Sequence, residues 1–246
     1  MKKILSLLIV CFCFSTCCSK NMYQTQIDNA EKNFKKGNFS RTVEIYESLI
    51  QIEKVNNPYI YYNLSNAYYR NGNLGKAILN IEKALKLAPR DSEIKSNAQH
   101  LHSIAGNNMQ KNLADIVLQH FSLNEITIAF SVVLILFIMS LSLLLIKGSL
   151  IFKKFTASLI VFLIVCIPLL CLKGCDEFSV RKAVLVSTSS IRSGPGNNNP
   201  EIFTLTEGKI VSIIAKSGDW VNIKIESENE KLPGWVESNA IGSVNE

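Results

Sequence analysis

ITIAFSVVLILFIMSLSLLLIKGSLIFKKFTASLIVFLIVCIPLLCL, residues 126–172, holds two long apolar runs, Ile126 to Ile146 and Phe155 to Leu172. Between them lies a short segment carrying Lys147, Lys153 and Lys154. A helix rises about 1.5 Å per residue and the hydrocarbon layer is about 30 Å thick. The first run therefore spans a membrane comfortably, and the second, between Lys153/Lys154 and Lys173, just does. Pro168 is tolerable there because neighbouring helices and water can re-satisfy the carbonyl it frees. The spacing predicts a transmembrane hairpin with helices over 125–147 and 155–173 and a loop over 148–154. Lysines concentrate in cytoplasmic loops, most reliably in short ones. The tip is thus expected in the cytoplasm, and everything before Glu125 and after Lys173 on the far side.

The N-terminus agrees. Lys2 and Lys3, the apolar stretch Ile4 to Phe14, and the small residues Ser15 to Ser19 read as a secretory signal over 1–19. Phe14-Ser15-Thr16 before Cys17 is a poor lipobox. Ordinary cleavage, lipidation at Cys17 or Cys18, and an uncleaved anchor all stay open.

The formal charge of +6 does not form a basic stripe. Residues 20–120 carry thirteen basic against nine acidic side chains, whereas residues 176–246 carry seven against ten. Part of the positive excess belongs to membrane topology, and no contiguous cationic face of the kind that tracks phosphates is visible, so nucleic acid is not expected as a partner. Of seven cysteines, Cys11, Cys13, Cys17 and Cys18 lie in the signal, and Cys166, Cys171 and Cys175 in or just past the second span. The two exported domains contain none and fold without disulfides. Cys171 and Cys175, four apart on one helical face, could form a redox pair, although small residues in a membrane helix need no such explanation. His100 and His102 point to different faces of a predicted helix and His120 stands alone, so no metal site is expected.

Self-comparison finds one period. Residues 58–91, PYIYYNLSNAYYRNGNLGKAILNIEKALKLAPRD, have apolar residues at helical spacing on both sides of Asn71-Gly72-Asn73, where glycine lets the chain reverse. Ala77 and Ala84 are small where two helices must approach closely, and Pro89 closes the second helix. With Tyr61, Leu64, Ser65, Tyr68, Gly72, Ala77, Ile81, Ala84 and Pro89 at its spacing, the segment resembles a tetratricopeptide repeat (TPR). A weaker copy over 23–57 has Ala30, Phe34, Gly37, Phe39 and Tyr46 in equivalent places. Thr42 and Leu49 replace its two small alanines. Residues 92–122 are read as capping and juxtamembrane helices, with Ser92 to Ala105 as the cap. Leu113, Ile116, Val117, His120 and Phe121 form one apolar stripe that could lie in the membrane interface or pack on the repeats.

The repeat resemblance implies a concave groove that holds a partner segment and does no chemistry. Helical mapping places Tyr59, Tyr62, Asn66, Tyr69 and Arg70 on the groove side, and Tyr61, Leu64 and Tyr68 toward the partner helix. Exposed aromatics with polar neighbours are typical protein anchors. The alternative is that these tyrosines cover the cap or the chain's own next segment. Tyr62 stands where chaperone-binding repeats carry a clamp lysine, so capture of a free C-terminal carboxylate is not implied.

Over 178–244 the pattern changes to short strands broken by glycine, proline and asparagine. Val211, Ile213, Val221, Ile223 and Ile225 alternate as half-buried strands do, and Gly208, Gly218 and Gly234 are placed at turns. Ser190 to Gly196, Phe203-Thr204-Leu205, Gly218-Asp219-Trp220-Val221 and Gly234-Trp235-Val236 together resemble the bacterial SH3 domain family, an all-β barrel. Trp220 and Trp235 are expected to supply much of its burial or its ligand face. The family implies a peptide or peptidoglycan ligand, or packing against a neighbouring domain. The domain has no cysteine or histidine, so the usual wall-hydrolase chemistry has no residues to run on. No catalytic residue and no cofactor is expected.

Signal, all-α repeats, hairpin and SH3 domain in this order resemble the BatE-like TPR and SH3 membrane proteins of Bat aerotolerance operons. Phe121-Ser122-Leu123-Asn124 entering the first span resembles that family too. The resemblance implies a scaffold in the bacterial cytoplasmic (inner) membrane, with both domains extracytoplasmic. Its implied partners are Bat-type von Willebrand A domain membrane proteins, with a MoxR-type ATPase on the cytoplasmic side. A peptidoglycan-binding sensor or tether is the second reading, and a redox carrier using Cys171 and Cys175 the third.

Overall fold

The computed structural model describes residues 23–52, 54–107, 123–148, 150–179, 181–226 and 231–244. The expected signal segment and the Leu113 to Phe121 stripe lie outside them.

Five helices build the first domain: α1 (residues 23–35), α2 (Phe39–Gln51), α3 (Pro58–Arg70), α4 (Leu74–Leu87) and α5 (Ser92–Ala105). Gly37 (φ 80°) and Gly72 (φ 81°) both adopt the left-handed conformation that reverses the chain between helices. The two copies therefore share their turn chemistry as well as their spacing. Asn57 caps α3 by accepting from Tyr59 N at 2.9 Å, ahead of Pro58 at the first helical position. Asp91 caps α5 by accepting from Glu93 N at 3.0 Å and Ile94 N at 3.1 Å. The core is Ala30, Tyr46, Leu49, Leu64, Tyr68, Ala77, Ile81, Ala84, Ile94 and Leu101 with their neighbours. Leu64, Tyr68, Ala77 and Ala84 are all buried, at the positions the period assigns to helix packing. Burial pushes the Tyr46 phenol up to about 12, helped by Glu31.

Two long helices follow, α6 (Leu123–Lys147) and α7 (Leu150–Ser179), the second with Pro168 inside it. Within α6, Glu125–Ile146 is long and apolar enough to cross a membrane by length and composition. The two helices touch, and Ser140 Oγ and Thr156 Oγ1 lie 2.7 Å apart, buried between them. In apolar surroundings each hydroxyl satisfies the other. Arg90, in the α4–α5 connection, pairs with Glu125 in the first turn of α6.

The second domain is a seven-stranded antiparallel sheet. Its strands are β1 (Arg181–Leu185), β2 (Ser189–Arg192), β3 (Glu201–Leu205), β4 (Ile210–Ser217), β5 (Trp220–Glu226), β6 (Lys231–Glu237) and β7 (Ile241–Ser243). Their order is β3-β2-β6-β5-β4-β1-β7. Strands β4 and β5 form a hairpin with Ser217 opposite Trp220, turning on Gly218 at φ 58°. Gly234 is not at a turn. It lies inside β6 opposite Ile223, and a Cβ there would fall 2.2 Å from Ile191 Cγ2. It is glycine because Ile191 occupies that volume.

The core of the sheet is Ala183, Leu185, Ile191, Val211, Val221, Ile223, Val236 and Ala240. Trp220 and Trp235, read as core or as ligand face, are half-buried and, unlike these eight residues, outside this set. The strand period explains the difference. Val221, Ile223 and Val236 take the inner face of β5 and β6, so Trp220 and Trp235 alternate onto the outer one.

Candidate functional site

Tyr59, Tyr62, Asn66 and Tyr69 are spaced three, four and three residues apart, which puts them in one row along α3. Each meets α5. Tyr59 Oη donates to Asp91 Oδ2 at 3.0 Å and Tyr62 Oη to Glu93 Oε1 at 2.8 Å. Asn97 Nδ2 donates to Asn66 Oδ1 at 2.7 Å, and the Tyr69 ring meets His100 edge-on with centroids 6.1 Å apart. The result is a ladder of four rungs joining the two helices. Arg70 is not part of it, for its guanidinium lies 5.1 Å over the Phe39 ring, toward α2.

The ladder fixes Tyr59 and Tyr62 by their hydroxyls and leaves the rings of Tyr59 and Tyr69 exposed, while Tyr62 is half-buried against the helical core. Tyr59 is 55% exposed and Tyr69 39%. The Asp91 carboxylate raises the Tyr59 phenol above its usual value, through its hydrogen bond first and its charge second. For Tyr62 partial burial is the main cause of the upward shift. Asp91 is held below the ordinary carboxylate value chiefly by the N–H of Ile94, then by Tyr59 and the N–H of Glu93. The surface is therefore aromatic and hydrogen-bonding, with rings held in place at little cost in side-chain freedom. It suits contact with another protein. The alternative read from the sequence, that these tyrosines cover the cap, matches where they lie, because α5 is that cap; Asp91 at its N-terminus and Glu93, Asn97 and His100 along it were not singled out, although the rungs Tyr62–Glu93 and Asn66–Asn97 recur at the same separation of 31 residues.

For a second feature the sequence offered only the general expectation that such a domain can pack against a neighbouring one, with no residues named for it. The sheet docks on the repeats, and the two cores meet. Strand β1 is buried on both faces: Ala183 and Leu185 enter the sheet's own core, while Val184 joins the helical one. Val244 joins it too, with Ile210 packed beside.

Three glycines allow the approach. A Cβ at Gly75 on α4 would fall 2.5 Å from Leu185 O, one at Gly208 2.8 Å from Ile78 Cδ1, and one at Gly242 2.3 Å from Leu79 Cδ2. The turn between β3 and β4 supplies the polar contacts. Glu207 Oε2 accepts from Gly75 N at 3.2 Å, Gly208 O accepts from Asn107 Nδ2 at 2.8 Å, and Lys209 Nζ donates to Gly106 O at 2.7 Å. An acid thus stands at the N-terminus of α4 and a base at the C-terminus of α5, each on the favourable end of the helix dipole. Gly75 carried the one readable signal, since glycine in a helix costs about 1 kcal/mol relative to alanine and asks for a packing reason.

On the outer face of the sheet, Arg192 on β2, Trp235 on β6 and Asn222 on β5 are register neighbours. Arg192 Nη1 is held by the carbonyls of Asn199 at 2.8 Å and Asn197 at 3.2 Å. Asn222 Oδ1 is buried and has no hydrogen-bond partner among the described residues. Among those residues no group of three or more metal-ligating side chains converges.

Comparison with known families matches residues 58–91 to the tetratricopeptide repeat and residues 187–241 to the bacterial SH3 domain. No curated protein matches the chain.

Proposed function

We propose that this chain is a membrane-anchored protein-interaction scaffold of the bacterial envelope, presenting its TPR and SH3 domains as one extracytoplasmic body. Tetratricopeptide and SH3 modules are interaction modules, which supports the coarse reading. The seam carries the finer one. Residues up to Asn107 and from Arg181 onward share a packed interface, so the segment between them leaves and returns on the same side. If α6 crosses a bilayer, α7 must cross back. Lys147, Lys153 and Lys154 at the tip then set the tip in the cytoplasm.

The aromatic ladder is the partner-binding surface in this reading. Other envelope membrane proteins are its partners, von Willebrand A domain proteins of a Bat-type aerotolerance or stress complex first among them. The test is affinity capture of the full chain from native membranes. Co-purification of such proteins supports the assignment, and a clean recovery of the chain without any membrane partner overturns it.

One observation favours a second reading, a tether to peptidoglycan. The half-buried Trp220 and Trp235 lie on the outer face of the SH3 sheet, where a ligand with an apolar ring would find a surface to stack on. Sedimentation of the full chain with purified sacculi, against a Trp235→Ala variant, decides it. Equal sedimentation of the two sets this site aside.

A further inference from the structure

We propose that the aromatic ladder holds a juxtamembrane segment of its partner, the stretch of another membrane protein that emerges directly from its span; the proposal rests on the ladder being the partner-binding surface and on α6 crossing the bilayer.

Two features set the height of the ladder above the bilayer. Arg90, in the α4–α5 connection, pairs with Glu125, the first residue of the apolar stretch Glu125–Ile146. The polar layer of one leaflet is about 5 to 7 Å deep, so a side chain that reaches Glu125 belongs to that layer. The second helix leads to the same place. α7 continues past the apolar run, from Lys173 to Ser179, for about 10 Å, and β1 starts at Arg181. From there β1 runs along α4 toward its N-terminus, because the Leu185 carbonyl lies against Gly75, and Gly242, the register partner of Val184, lies against Leu79. The start of β1 is therefore beside the C-terminal part of α4. Both ends of the hairpin meet the body at the end of α4 that leads into Arg90.

The ladder starts at that same end. Asp91, the residue after Arg90, accepts from Tyr59, and Glu93 accepts from Tyr62. The remaining rungs follow α3 through Asn66 to Tyr69, about 15 Å along the helix from Tyr59. Because α3 runs antiparallel to α4, that direction leads away from the bilayer. The row of tyrosines thus rises from the membrane surface.

A segment lying on the ladder must begin beside the headgroups. A chain leaving a neighbouring span enters there directly, whereas a folded soluble partner would have to bring a loop down to the headgroups to reach the first two rungs. The exposed rings of Tyr59 and Tyr69 receive its apolar side chains, and the carboxylates of Asp91 and Glu93 its hydrogen-bond donors. Position relative to the membrane thus selects the class of partner, and the rings and carboxylates select within it.

The test is photo-crosslinking of the full chain in native membranes, with p-benzoylphenylalanine at Tyr59, at Tyr69 or, off the ladder, at Ile52, which is 75% exposed. Adducts from Tyr59 should map to a membrane protein within about ten residues of one of its spans, since a helical chain climbs about 1.5 Å and an extended one about 3.3 Å per residue. Adducts from Tyr69 should map to the same protein farther from that span, and Ile52 should yield neither. Adducts on a soluble protein, on lipid, on a second copy of this chain or beyond that reach of a span overturn the proposal, as do the reverse order along the partner and equal yields from Ile52. Membrane partners recovered by affinity capture with no adduct from either tyrosine refute the ladder as the binding surface, and the juxtamembrane assignment with it.

Discussion

Glu207 Oε2 accepts the backbone N–H of Gly75 at 3.2 Å, across 132 residues of sequence. The cap residue of α4, Asn73, makes no side-chain bond to its own helix. The first turn of α4 therefore takes its acceptor from the SH3 domain, and the repeats and the sheet complete each other. Stacked repeats need something over their last face. Here α5 supplies one part of that cover, and β1, β7 and the β3–β4 turn supply the rest.

Gly208→Ala should open the seam. Its φ of 84° disfavours any side chain, and the new methyl would press on Ile78 Cδ1 at 2.8 Å and Ala105 Cβ at 3.2 Å. Overpacking of this kind costs about 1 to 3 kcal/mol. Gly218→Ala is the control, with a comparable φ of 58° and nothing within 4 Å. Proteolysis at the seam should accelerate for Gly208→Ala only. Equal acceleration in both would reduce the effect to backbone strain.

Topology is checked by reporter fusions. A reporter active only outside the cytoplasm should work after Glu246 and fail at Gly148, and the opposite pattern would exclude the proposed orientation. Neutralising Lys147, Lys153 and Lys154 together should give mixed orientations, because positive charges beside the spans set them.

In the SH3 domain, Ile223→Ala should destabilise more than Trp235→Ala. Ile223 is fully buried, and its truncation costs about 2 to 5 kcal/mol. The Trp235 ring lies on the outer face, so its loss leaves the inner core intact. Thermal melts of the full chain rank the two, and a Trp235→Ala midpoint below that of Ile223→Ala would return the ring to the core.

Tyr62→Ala removes one rung and one half-buried ring while Leu64, Ala77 and Ala84 keep the helices packed. Loss of an interface anchor typically costs about 2 kcal/mol or more, or roughly thirtyfold in affinity. Recovery of membrane partners should drop by that order with the chain still folded and inserted. Ala77→Leu, at a fully buried site, should instead damage the whole repeat domain. If Tyr62→Ala keeps every partner, the ladder is only cover for α5.

Asp91 gives a pH-dependent readout. Its carboxyl is held below the ordinary value by the Ile94 N–H foremost, so its charge stabilises the fold at pH above that ordinary value, about 4, and the benefit disappears as pH falls through the lowered one. Asn is an equally good cap residue, so Asp91→Asn removes the charge alone. Its melting midpoint should lie below wild type at neutral pH and converge with it under acid. A gap that persists at pH 2 would assign the stabilisation to something other than the charge.

Local pattern was enough for most of the architecture. The period around Gly72 located α3 and α4, the run Ser92 to Ala105 gave α5 its bounds, and alternation from Val211 to Ile225 gave β4 and β5. Each of these rests on contacts within one turn, one hairpin or one repeat, which is the range over which spacing carries information. The row Tyr59, Tyr62, Asn66, Tyr69 was legible for the same reason, while Arg70, one residue further round the helix, turned to Phe39.

Only the tertiary structure decided what lies across long separations. Gly234 reads as a turn until Ile191 is seen to fill its place, the tryptophans read equally as core or as ligand face until the inner face of the sheet is seen to be taken, and Val184 reads as one more strand residue. That Val184 belongs to the repeats, and that Glu207 caps a helix at Gly75, follows from docking two surfaces whose complementarity leaves no period in the chain, because a contact made once in the fold is not repeated in the sequence.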